Sequence, residues 1–116
     1  MDLHLKNKKV IVTGGSKGIG RADQMGGLDI LVSNVSAMNT SFRDCVEIDI
    51  IGVQALLRAG LARMEDHNDA NIICISSRAA SVGIPYLQSY AAVKAATVSM
   101  VKSMAVEVAR RGIRVN

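Results

Sequence analysis

Aromatic residues and proline are scarce in this sequence. Of 116 residues one is Phe, two are Tyr, one is Pro and none is Trp. At 3% aromatic, the chain lacks the ring platforms on which single-stranded nucleic acids stack. A core must instead be built from Val, Ile, Leu, Ala and the six Met residues. Cysteine is scarce as well. Cys45 and Cys74 fit no disulfide or metal spacing, which excludes a disulfide scaffold and points to a reducing compartment. No apolar run approaches the ~18 residues that a membrane helix needs. The segment Met1-Asp2-Leu3-His4-Leu5-Lys6 has no apolar stretch ahead of its first charges. Secretion is therefore not expected, and a cytoplasmic location is.

With 49% hydrophobic and 21% charged residues, the composition is that of an ordinary globular domain and excludes a disordered tail. The formal charge of +4 is dispersed. Its two small groups, Lys6 to Lys9 and Arg110 to Arg114, read as a solvated strand flank and a helix carboxyl end. Neither a nucleic-acid partner nor a membrane partner is expected. His4 and His67 are isolated and make poor metal ligands, since a zinc site wants three or four. No metal is expected. Cys74 reads as a small hydrophobe in a strand, and nothing beside Cys45 completes a nucleophile system.

Three short apolar, β-branched runs predict strands: 10–13, 28–33 and 71–76. Each is continuously apolar, the pattern of strands covered on both faces. Between the second and third, Ile50, Val53, Leu57, Leu61 and Met64 recur at helical spacing within 44–64. A long helix is predicted over 89–111, stopped by Gly112, with a further strand beginning at 113–115. Strand and helix in alternation predict an α/β fold with a parallel sheet. The 89–111 helix is apolar on more than one face. It is either wholly internal or packed on a second subunit.

Directly after the first strand runs Thr13-Gly14-Gly15-Ser16-Lys17-Gly18-Ile19-Gly20. Glycines here allow a sharp turn and let a phosphate approach the main chain, while a helix beginning near Gly18 aims its N–H groups at a pyrophosphate. The Lys precedes the second glycine group and no Gly-Lys-Ser/Thr follows, so this is not a nucleotide-hydrolase loop. Lys17 places a positive charge where a ribose 2′-phosphate could lie, an argument for NADP over NAD. Further on, Ser77 ends the third strand, Tyr90 opens the long helix and Lys94 follows at i+4 on the same face. A neighbouring ammonium favours phenolate over phenol, which a tyrosine needs in order to act as acid or base. Ser77, at a strand's carboxyl end, could donate to a carbonyl oxygen.

On these residues the sequence resembles the short-chain dehydrogenase/reductase family. Thr13-Gly14, Gly18-Ile19-Gly20 and the thirteen-residue step from Ser77 to Tyr90 match that family's cofactor loop and catalytic spacing. Ile75-Ser76-Ser77 and Arg114-Val115-Asn116 are similar to family segments at corresponding places. The resemblance implies a Rossmann-type, doubly wound parallel sheet in three αβα layers. It implies NADP or NAD as cofactor, held by Gly14, Ser16, Lys17, Gly18, Ile19, Gly20, Asn34, Tyr90 and Lys94. It also implies the interconversion of a secondary alcohol and a ketone. Tyr90 would exchange the hydroxyl proton, Lys94 would assist it and hold the nicotinamide ribose, and Ser77 would polarise the substrate oxygen. A homodimer or homotetramer through the 89–111 helix is expected.

The chain departs from the family pattern in three places. Ser33-Asn34-Val35-Ser36 stands where the family shows Asn-Asn-Ala-Gly, so Ser36 crowds the adenosine side. Asp49 takes the place of the family's fourth catalytic residue, an asparagine whose main-chain carbonyl holds a relay water. Asp49 is kept as a candidate catalytic residue on that account. Finally, only 14–27 joins two strands expected to be parallel, close to the minimum of a dozen or so for a crossover. Residues 1–116 are thus expected to form one nucleotide-binding and catalytic domain, itself segments of a longer domain with the gaps closed. The alternative to an enzyme is an inactive relative that keeps the fold for nucleotide binding or oligomerisation.

Overall fold

The computed structural model describes residues 1–13, 20–37 and 41–116. Four strands, β1 (Val10–Thr13), β2 (Ile30–Ser33), β3 (Asn71–Cys74) and β4 (Arg114–Val115), form one sheet in the order β1-β2-β3-β4. All three pairings are parallel, with Ile11 opposite Leu31 and Leu31 opposite Ile72. Parallel neighbours demand a crossover between every pair. The first is made by α1 (Gly20–Gln24), the second by α2 (Phe42–Cys45), a π-helical segment (Val46–Gly52) and α3 (Val53–Leu61). The third is made by a 3₁₀ turn (Arg78–Ala80), α4 (Gln88–Val108) and a second 3₁₀ turn (Ala109–Arg111). The expected parallel α/β sheet is present. β1 matches its apolar run, β2, β3 and β4 are shorter than the runs that predicted them, and the 44–64 helix is three segments in one continuous rod.

The core lies on one face of the sheet. Ile11, Leu31, Ile72 and Val115 point into it and meet Ala22, Val53, Leu57, Leu61, Met104 and Val108 from the helices. Ala22 is the one described side chain that α1 buries, as its short crossover requires. Gly60 lets α3 lie close on β2, since a Cβ there would come within 2.6 Å of the Leu31 side chain. Arg111 closes the carboxyl end of this layer. Its guanidinium donates to the main-chain carbonyls of Leu61 and Met64 and to the Asp66 carboxylate. Gly112, at φ +68°, then supplies the left-handed residue that ends the helix.

The opposite sheet face differs from the expectation of strands covered on both sides. Val10, Val12 and Ile73 are exposed by 41%, 67% and 40%, and among the described residues no helix lies over them. The described residues therefore form two of the three expected layers. α4 likewise is not wholly internal: Val93, Lys94, Thr97, Met104 and Val108 are buried, whereas Ala92, Ala95, Ser99, Ser103 and Val106 are exposed. No described helix is long and apolar enough to cross a membrane.

Candidate active site

In a parallel sheet every strand ends at the same edge, so the loops after β1, β2 and β3 converge there. Gly14, Ser16, Lys17, Gly18 and Ile19 lie outside the described residues, and Gly20 is the first residue of α1. Asn34 follows β2 and extends its ladder, its N–H donating to the Thr13 carbonyl at 2.7 Å. Its side chain is exposed. Ser77 follows β3 and caps the 3₁₀ turn, its Oγ accepting from the Ala79 N–H at 3.1 Å. That bond uses a lone pair of the hydroxyl and leaves its proton able to donate elsewhere.

Lys94 ties this edge together. It is only 3% exposed, and its Nζ donates to the Val35 carbonyl at 2.7 Å and to the Ile75 carbonyl at 3.4 Å. A buried ammonium needs such partners, because desolvation without them would cost more than the fold could supply. The two carbonyls belong to the loops after β2 and β3, so the charge is fixed at the sheet's carboxyl edge. One turn earlier, the half-buried Tyr90 presents its ring to the same ammonium, 5.8 Å from Nζ to the ring centroid. The i, i+4 pair thus meets as its spacing predicts.

Asp49 sits in the π-helical segment, packed against α4. Its main-chain carbonyl accepts from Thr97 Oγ1 at 3.2 Å, and that hydroxyl also faces the Val93 carbonyl at 2.9 Å. The side chain is fully buried, and among the described residues neither carboxylate oxygen has a hydrogen-bond partner. Wide π turns are uncommon and often mark functional positions. Cys74, at the end of β3, feels the same neighbourhood. Burial pushes its thiol above the ordinary range and the Asp49 charge adds to this, while the Ser33 hydroxyl and the Lys94 charge pull the other way.

The structure thus brings Tyr90 and Lys94 together, with Ser77 and Asn34 at the same sheet edge and Asp49 on the helix packed beside α4. Sequence reasoning missed two participants, Val35 and Thr97. Val35 acts through its carbonyl, which no side-chain pattern reveals; the Thr97 hydroxyl could have been noticed, three residues after Lys94. A cleft of about 500 Å³ runs elsewhere, between α4 and β4, bordered by Val98, Val101, Ala105 and Val115. Neither Ser77 nor Tyr90 lines it.

Known proteins share this sequence pattern and this fold. The model of the short chain dehydrogenase family matches residues 21–116. A 3-oxoacyl-[acyl-carrier-protein] reductase of Vibrio cholerae is 33% identical over 103 residues, 81% of this chain and 42% of the relative. The oxidoreductase UcpA of Escherichia coli is 38% identical over 104 residues, 81% of this chain and 40% of the relative. Among solved structures, a short chain dehydrogenase from Burkholderia cenocepacia in complex with NADP superposes with a TM-score of 0.74 at 26% identity. That alignment covers 87% of this chain and 45% of the other. The chain spans about two-fifths of the length of the curated relatives it matches. By the parallel sheet and these matches, the chain belongs to the short-chain dehydrogenase/reductase family.

Proposed function

We propose that the protein is an NAD(P)-dependent oxidoreductase that interconverts a secondary alcohol and a ketone. The observation that carries this reading is the buried Lys94 ammonium, anchored to the loops after β2 and β3 with the Tyr90 ring beside it. A nicotinamide dinucleotide fits this edge. An ammonium has three protons to donate, the Val35 and Ile75 carbonyls take two, and the third has no partner among the described residues. Lys94 would hold the nicotinamide ribose with it, and Gly14, Ser16, Lys17, Gly18, Ile19, Gly20 and Asn34 would hold the rest of the dinucleotide. When bound, the nicotinamide accepts or supplies the hydride. The chain's own residues handle the proton. Ser77 donates to the substrate oxygen, and Tyr90 takes the hydroxyl proton in oxidation and returns it in reduction. Asp49 contributes through its main-chain carbonyl, which Thr97 shares.

Lys17 supports NADP over NAD, and tighter binding of NADPH than NADH is the outcome expected. The exposed small residues of α4, together with exposed Phe42, Ile48 and Ile51 on the preceding helical rod, support a homodimer or homotetramer. We read residues 1–116 as one nucleotide-binding domain working in the cytoplasm.

Turnover of secondary alcohols and ketones with NADP and NAD tests the reading. Tyr90→Phe is expected to lower the rate by about 10²–10⁴-fold, with the circular dichroism spectrum unchanged. A Tyr90→Phe variant as fast as the unaltered protein would overturn the mechanism. The buried, unpartnered carboxylate of Asp49 favours a second reading, an inactive nucleotide-binding module. NADPH binding without turnover of any alcohol or ketone would support it.

A further inference from the structure

The cleft between α4 and β4 is bordered by neither Ser77 nor Tyr90 and has no part in the chemistry assigned to them. At about 500 Å³ it falls within the size range of small-molecule sites, which are mostly apolar with a few placed polar groups. Val98, Val101 and Ala105 form one wall at successive turns of α4, and Val115 of β4 forms the other. The three helix residues are only half-buried, so this apolar surface still meets water, at a cost that an apolar ligand would remove. A second hollow of about 380 Å³ shares Ala105, Val115 and Asn116 with the first. The cleft therefore continues along β4.

Its polar groups say what fits. Deep in the cleft, Ser76 donates to the Lys94 carbonyl at 3.5 Å and Thr97 to the Val93 carbonyl at 2.9 Å. Both hydroxyl protons are thus taken within the fold. Burial pushes the Cys74 thiol up, so the third deep group is neutral. Nothing at this depth rewards a polar tail. Lys102 is the one cation at the larger hollow, it is exposed, and no acidic residue borders either hollow. Among the described residues its ammonium has no ion-pair partner. Arg114, beside the second hollow, is instead held by Asp69 and Asn71. One ammonium, with the exposed Asn116 amide also at the opening, suits a single carboxylate; a phosphate calls for more positive charge.

We propose that the α4–β4 cleft is a binding site for aliphatic monocarboxylates. The tail lies between the Val98–Ala105 stripe and Val115, and the carboxylate meets Lys102. The proposal stands on the cleft alone, whatever reaction the Tyr90 edge carries out.

Octanoate, acetate, 1-octanol and octylamine are the probes, and binding is read from the valine methyl NMR signals. Octanoate is expected to shift Val98, Val101 and Val115 and to leave the Tyr90 ring signals in place. Each buried methylene is worth about fourfold, so octanoate should bind at least about a hundredfold more tightly than acetate. Lys102→Gln should weaken octanoate about threefold to fivefold and leave 1-octanol unchanged. Ala105→Leu fills the cleft and should abolish binding of both. If that variant fails to fold, Lys102→Gln, on an exposed side chain, still decides. Octylamine binding as tightly as octanoate would sink the proposal, as would octanoate affinity indifferent to Lys102→Gln. Shifts that miss all three valines do the same. Octanoate that binds only after dilution has dissociated an oligomer gives the cleft to a second copy of the chain, and the proposal falls.

Discussion

The carboxylate of Asp49 lies fully buried in the neighbourhood shared by Lys94 and Cys74, and among the described residues neither oxygen has a hydrogen-bond partner. A buried polar group without a partner costs about 1–3 kcal/mol, and more when it is charged. Asp49→Asn keeps the shape and the main-chain carbonyl that Thr97 contacts, and exchanges a buried charge for a neutral amide, which costs less to bury. It is expected to raise the unfolding free energy by about 1–3 kcal/mol, seen as a higher urea midpoint at neutral pH. An unchanged midpoint would mean that the carboxylate is satisfied within the fold. Lys94 is the contrasting case at this scale. It is equally hidden, but two carbonyls from different loops offset its desolvation. Its pairing with Tyr90 was legible from the i, i+4 spacing. Its anchoring was not, because the partners are backbone carbonyls from residues 35 and 75, remote in sequence and identical in kind to every other carbonyl.

Among the elements, the β2–α3 contact is the tightest fit described. A Cβ on Gly60 would stand 2.6 Å from the side chain of Leu31, itself fully buried beneath the helix. Gly60→Ala is therefore expected to destabilise the fold by about 1–3 kcal/mol through overpacking, despite the better helix propensity of alanine. A thermal or urea melt checks it, and a variant as stable as the unaltered protein would show that Leu31 can yield. The strands were legible because β-branched runs between glycines and polar turns have few other readings. The helical rod was legible over Val53, Leu57 and Leu61, where the 3.6 period holds. The π-helical turn was not, since Val46, Ile48 and Ile50 nearly alternate and a widened turn leaves no mark in a helical count. Of the glycine loop, the most telling motif of the sequence, Thr13 ends β1 and Gly20 begins α1, and 14–19 lie outside the described residues.

Across the molecule, the two sheet faces are unequally dressed. Val12 pairs with Val32, and Val32 with Ile73, giving a row of apolar side chains that no described element covers. Such surfaces associate. Replacing Val12 and Ile73 by Thr keeps β-branched side chains on the strands and is expected to lower light scattering at a given concentration, with little change in melting temperature. Equal scattering would place the sticky surface elsewhere. The continuous strand runs forecast apolar faces on both sides of the sheet, but sequence alone could not say that only one side would be clothed. The opposite economy rules the rod that crosses from β2 to β3. Its front part joins Cys45 to Ala37 and Val93, while its rear part joins Leu56, Leu57 and Leu61 to the sheet. Between them the widened turn works as a phase shift, so one rod serves two separate cores. A substitution in the front part can therefore be absorbed within its own small cluster while the rear goes on holding the sheet.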